Sequence, residues 1–178
     1  MNRTTHFNRL ARLLHWSMAV LIVAMLFIGV TMVASLSLRP WLLDLHRPLG
    51  IAIGALALVR IANRLSGRSP ALPVDLPRWQ VAAAYGSHLL LYTLMIGLPL
   101  IGWAMLSAGD FPVKLYGNVS LPAIWPTSPI AYARLHLAHA CLAFALFALV
   151  IAHLCAALHH AWVRRDGVFA SMARGPVR

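Results

Sequence analysis

The 178-residue chain is 61% hydrophobic and only 11% charged; it has no Glu, and its acids are Asp44, Asp75, Asp110 and Asp166. A water-solvated surface needs far more charge, so composition excludes an ordinary soluble domain and points to solvation by lipid. The net charge of +11 sits in short segments between long apolar runs, where lipid headgroups and topology account for it, so no nucleic-acid partner is expected.

The first apolar run, 13–33, is long enough to cross a hydrocarbon core of about 30 Å. A signal peptide is the alternative, with Arg3, Arg9 and Arg12 as its basic region and a small-residue site near Ala34-Ser35. The stretch exceeds a typical signal-peptide apolar region, which favours a retained helix. The second span is predicted at 45–62, with Pro48 in its first turn, where proline is tolerated. A basic, proline-rich connector from Arg64 to Arg78 follows. The third span is predicted at 81–106, kinked at Pro99, with neighbours re-satisfying the freed carbonyl. The segment from Ser107 to Arg134 is rich in Pro, Gly and aromatics, and Trp103, Trp125 and Tyr132 suit an interfacial belt. The fourth span, 135–162, is the longest and least interrupted. The expectation is one all-α domain over 1–178, a four-helix transmembrane bundle.

Lys and Arg count eleven on the N-terminus, second connector and tail, against four (Arg39, Arg47, Lys114, Arg134) on the first and third connectors. Positive segments favour the cytoplasm, so both termini are expected inside. Cys141 and Cys155, 14 residues apart on one run, would stand about 21 Å apart, beyond disulfide reach, and read as small packing residues. No CxxCH occurs, which excludes covalent c-type haem attachment.

Nine histidines in so apolar a chain demand an account, because ionisable residues within spans are costly and usually functional. Topology sorts them by depth: His15, His88 and His153 toward the inner face, His46, His136 and His139 toward the outer, and His6, His159 and His160 at the inner interface. From His139 to His153 is 14 residues, about 21 Å of helix with a residual rotation of only about −40°. One helix thus offers an inward imidazole to each half of the membrane, whereas His136 is about 100° out of phase with His153. Second ligands at matching depths come from His15 inside and His46 outside. Two imidazoles on one iron leave no open position, which suits electron transfer over oxygen binding. Ala19, Gly50, Gly54 and Ala143, each one or two turns beyond a histidine, leave room for a macrocycle. Gly50 and Gly54 also form a GxxxG, which equally reads as a helix-packing face.

His88 shares the inner level with His15 and reads as an outer-shell or quinone-site residue, a ligand, or a structural polar contact. His160 and Arg164, at 7 and 11 residues from His153, are expected to share its face within about 20°. With His159 they are candidates for a quinone headgroup or haem propionates, while lipid anchoring is the plainer reading of Arg164 and Arg165.

The segments Arg12-Leu-Leu-His15-Trp16, His46 with Gly50, Gly86-Ser-His88 with Leu91-Tyr92, Pro99-Leu-Ile-Gly102-Trp103, and His139 through His153 to His159-His160 resemble the bacterial cytochrome b561 family. Its relatives include the di-haem b subunits of nickel-iron hydrogenases and formate dehydrogenases. The resemblance runs from about residue 5 to 172. It implies four helices and two haems b, the inner on His15 and His153 and the outer on His46 and His139, with ubiquinone as acceptor. One branch of the family oxidises superoxide at the periplasmic surface. Pro48, two residues after His46, departs from the small or polar residue more usual there.

The leading expectation is therefore an oxidoreductase that passes electrons from a periplasmic one-electron donor, superoxide favoured, to ubiquinone. Lys114, Arg134, Arg47 and Arg39 would steer an anionic donor. A second reading is a haem-b anchor that takes electrons from a periplasmic redox partner such as a hydrogenase. A third is a histidine-based metal transporter, which the lack of any acid within a span interior disfavours.

Overall fold

Each apolar run folds into one long helix, because a chain in hydrocarbon must satisfy its backbone hydrogen bonds internally. The computed structural model describes residues 6–67, 70–117 and 119–174; Arg3, Arg68 and Arg178, which enter the charge count, lie outside them. The helices are α1 (Arg9–Ala34), α2 (Arg39–Ser66), α3 (Arg78–Ala108) and α4 (Pro129–His159). The last continues through a single π-helical turn, His160–Arg164, before the short α5 (Val168–Ala173). All four long helices have the length and apolarity to cross a membrane.

The helices outrun the apolar runs because polar residues outside the hydrocarbon extend and cap them. The Asn8 side chain accepts the Ala11 N–H at 2.7 Å, and Ser128 accepts that of Ala131 ahead of Pro129. For α2 the sequence expectation is corrected. The first turn begins at Arg39 and its proline is Pro40, so Pro48 lies inside the helix and deprives the Asp44 carbonyl of its partner.

Between α3 and α4 the chain forms a small antiparallel hairpin, β1 (Val113–Tyr116) and β2 (Val119–Leu121), with an irregular register between Lys114 and Tyr116. The all-α expectation from the sequence does not include these two strands. The hairpin packs on α2. Trp103 ties it down further, donating to the Pro122 carbonyl at 2.8 Å.

Packing is uneven. The buried cluster is Met18, Ile22, Ile53, Ala57 and Met95, drawn from α1, α2 and α3, with Val150 as the part-buried neighbour from α4. Gly54 backs onto Pro99, where an added methyl would meet Cγ at 3.4 Å, and Gly50 faces Met25. Of the two readings of the GxxxG, the structure uses the packing one. The backbone of α4 runs closely along α3 but approaches α1 and α2 at most at isolated points. The α4 backbone is therefore spaced more widely from α1 and α2 than from α3, across a slot into which side chains such as Val150 reach. Cys141 and Cys155 are exposed on α4, which corrects the reading of both as packing residues.

Candidate functional site

Two sets of imidazoles bridge that slot, one at the hairpin end and one at the end where the described termini meet. At the hairpin end His46 of α2 faces His139 of α4, ring centres 6.1 Å apart. At the termini end His15 of α1 faces His153 of α4 at 6.4 Å. The 14-residue interval on α4 thus brings together both pairs that depth and phase suggest.

The separations have a physical meaning. A five-membered ring with bonds of about 1.33 Å has its centre about 1.1 Å from each atom. A first-row metal sits about 2.0 Å from an imidazole nitrogen. A metal held in line between two imidazoles therefore sets ring centres about 6.2 Å apart, close to both observed values. Edge-to-face ring contact spans the same range of separations, and both pairs sit edge to face at 65–67°, so the distance lets each pair bracket a metal without requiring one. His46 Nδ1 is buried without a hydrogen-bond partner, a costly state for a group of this kind. Among the described residues no three His, Cys or Asp side chains converge on a point that could hold a bare metal ion. Two axial imidazoles suffice when the metal arrives with its own equatorial nitrogens, as in a porphyrin. The residues present fit a haem at each level.

His88 of α3 completes the termini-end set, 5.7 Å from His153. Two neighbours that the sequence reading does not assign to the site join it. Arg60 of α2 lies 2.8 Å through Nη1 from His15 Nδ1, and its Nε donates to the Tyr92 hydroxyl at 2.9 Å. In the sequence Arg60 counts only as a topology charge. Its signal is the interval from His46 to Arg60, the same 14 residues that separate His139 from His153. At the hairpin end the missed residue is Gly102, which backs onto the His139 ring.

The remaining candidates disperse. His136 is exposed and stacks beside Tyr132 at 6.1 Å. His160 and Arg164 do converge, but on Asp166: His160 Nδ1 lies 2.6 Å from Asp166 Oδ2, and Arg164 Nε donates to the same oxygen at 3.1 Å. The π turn begins at His160, so the α-helical phase counted from His153 does not extend through it to Arg164. Arg164 also reaches Asp75 on the second connector at 2.7 Å, and the Val168 N–H donates to Asp166 Oδ1. Burial would raise the Asp166 carboxyl, but hydrogen bonds from His160, the Val168 amide and Arg164 outweigh it and hold the group below the usual carboxylate range. His159 is exposed beside His160.

Of the four steering candidates, Arg47 and Lys114 line one groove of about 590 Å³ with Trp41, Asp44, Phe111 and Tyr116. Arg39 and Arg134 do not belong to its wall, and Arg47 pairs with Asp44 at 3.5 Å. The basic entrance is therefore smaller than the sequence suggests and partly offset by an acid.

A sequence model of prokaryotic cytochrome b561 matches residues 6–175. The chain is 29% identical to cytochrome b561 homolog 1 of Escherichia coli K12, over 97% of each chain. It is 25% identical to homolog 2 of the same strain, over 96% of this chain and 93% of that one. It is also 29% identical to a probable superoxide oxidase, CybB, of Yersinia pestis, over 89% of this chain and 90% of the other. With this match over almost its whole length, the chain belongs to the prokaryotic cytochrome b561 family of haem b proteins of membrane electron transfer.

Proposed function

We propose that the chain binds two haems b, one between His15 and His153 and one between His46 and His139, and carries electrons from superoxide on the hairpin side to ubiquinone on the termini side. The observation that supports this most directly is the pair of histidine brackets, 6.4 and 6.1 Å across, in a slot that the backbone of α4 leaves open. Bound there, the haems supply one-electron redox centres near the two faces of the membrane. Each superoxide loses one electron and leaves as dioxygen, and ubiquinone takes up two electrons and two protons. The excess of Lys and Arg on the segments flanking the termini supports cytoplasmic termini and an inner-membrane location, so that the hairpin faces the periplasm.

Within this reading the protein groups have distinct tasks. Arg47 and Lys114 make the groove beside His46 attractive to a small anion. His88, near His153, stands on the quinone side, and His160, fixed by Asp166, is placed for proton exchange at the same end. The name probable superoxide oxidase belongs to one relative, and its chemistry is extended to this chain within the proposal. A haem-b anchor for a periplasmic redox partner is the second reading, and the same groove would then be where the partner docks.

The test is a reduced-minus-oxidised spectrum of the pure protein with haem quantified per polypeptide, followed by addition of superoxide and a ubiquinone. Two haems and quinol formation without any partner protein are expected. A single haem or none overturns the site, and two haems without superoxide-driven quinol formation favour the anchor.

A further inference from the structure

Arg60 poses a chemical conflict. A guanidinium is permanently charged and can only donate hydrogen bonds. Its 2.8 Å contact with His15 Nδ1 therefore makes that nitrogen the acceptor, which puts the ring proton of a neutral His15 on Nε2. A neutral imidazole that binds a metal needs the opposite state, with one nitrogen free for the metal and the other donating its N–H outward. The Arg60–His15 contact and ligation by His15 thus exclude one another.

Arg60 also lacks an anion. It lies within α2 and is half-buried, where a lone cation is costly. Among the described residues it forms no ion pair with any of the four aspartates; the basic groups so paired are Arg47, His160 and Arg164. Its second partner, the Tyr92 hydroxyl, is neutral and holds the guanidinium at Nε, so the Nη edge, engaged through Nη1 by His15 alone, can exchange that partner for another. A planar cation suits a carboxylate, which it binds through two parallel hydrogen bonds. Haem b carries two.

Resting on the proposed termini-side haem, we infer that Arg60 is the anchor for a haem propionate at that site, positioned by Tyr92. In the cofactor-free chain it rests on His15; on loading, the guanidinium transfers to the propionate and frees His15 to ligate. Arg60 thereby couples recognition of the cofactor's carboxylate to release of its ligand.

The test compares wild type with Arg60→Gln, Arg60→Lys and Tyr92→Phe as full-length, haem-loaded proteins. Redox titration of Arg60→Gln is expected to favour the oxidised termini-side haem by about tenfold, a fall of about 59 mV for one electron. Arg60→Lys should recover some of this. The hairpin-side haem should keep its content and potential in every variant, which reports that the fold is intact. Reconstitution then separates the two partners of Arg60. In a His139→Ala background, haem b should bind at least tenfold more tightly than its dimethyl ester, and Arg60→Gln should remove that preference. If Arg60→Gln shifts the potential but the preference persists, Arg60 acts through His15 and the propionate assignment falls. If neither changes, the inference falls outright. Wild type with fewer than two haems would overturn the underlying di-haem reading instead.

Discussion

Gly102 and His139 meet so closely that a methyl group on Gly102 would stand 3.3 Å from the imidazole Cε1 and 3.5 Å from Nδ1. Within α3, glycine costs up to about 1 kcal/mol relative to alanine, so its value here is the space it leaves. Gly102→Ala should press on the ring and weaken the hairpin-side haem modestly, whereas Gly102→Val should displace His139 at a cost of about 1–3 kcal/mol. Haem quantification should show loss at the hairpin side with the termini-side centre retained. Full haem content in Gly102→Val would show that the ring has freedom the packing does not suggest.

The C-terminal segment is secured by Asp166, whose side chain keeps only 11% of its exposure and receives His160, Arg164 and the Val168 amide. Because the folded state holds this carboxyl below its usual value of 3.8, its contribution is complete at neutral pH. That contribution fades as pH falls below about 4 toward the depressed value. Asp166→Asn should loosen this end by about 1–3 kcal/mol and flatten that acid dependence. Asp75→Asn removes a partner that is 69% exposed and should cost at most about 1 kcal/mol. Amide exchange of α5, which also holds Trp16 through the Met172 carbonyl, is the measurement. Equal exchange in Asp166→Asn and wild type would refute the latch.

Steering at the groove has a definite sign. Asp44 offsets Arg47 at 3.5 Å, so Asp44→Asn should speed reduction by superoxide, and Lys114→Gln should slow it, each by roughly two- to tenfold at low salt. Both effects should shrink at 1 M salt, where the screening length falls to about 3 Å. A stopped-flow rate independent of ionic strength would remove superoxide steering from the account.

The spans and the histidine pairs were legible because both follow from rigid constraints. Hydrocarbon forces an unbroken apolar helix, and a 14-residue interval on such a helix keeps phase across the membrane. What escaped obeys weaker rules. Pro40 and Ser128 set helix ends in polar sequence beyond the apolar windows, where hydropathy carries no signal. The π turn at His160–Arg164 arises where α4 meets Asp75 and Asp166, partners far away or after the turn in sequence. Arg60 escaped for a different reason. A charge near a span end has two uses, topology and chemistry, and only its contact with His15 separates them.

The closest alternative for the termini-side ligand is His88, and the two histidines make opposite predictions. His15 and His153 lie 6.4 Å apart, nearer the roughly 6.2 Å of a shared metal than the 5.7 Å between His88 and His153. His88 also projects from α3, the helix whose backbone lies closest along α4, so a macrocycle between them would have to push that tightly packed helix pair open. His15 projects from α1, across the open slot. His15→Ala and His153→Ala should therefore each lose about one haem per polypeptide and leave the hairpin-side spectrum unchanged. His88→Ala should keep both haems and instead raise the ubiquinone concentration needed for half-maximal turnover. Loss of a haem in His88→Ala with retention in His15→Ala would move the ligand to α3, and Arg60 would then be free to stay on His15 in the loaded protein.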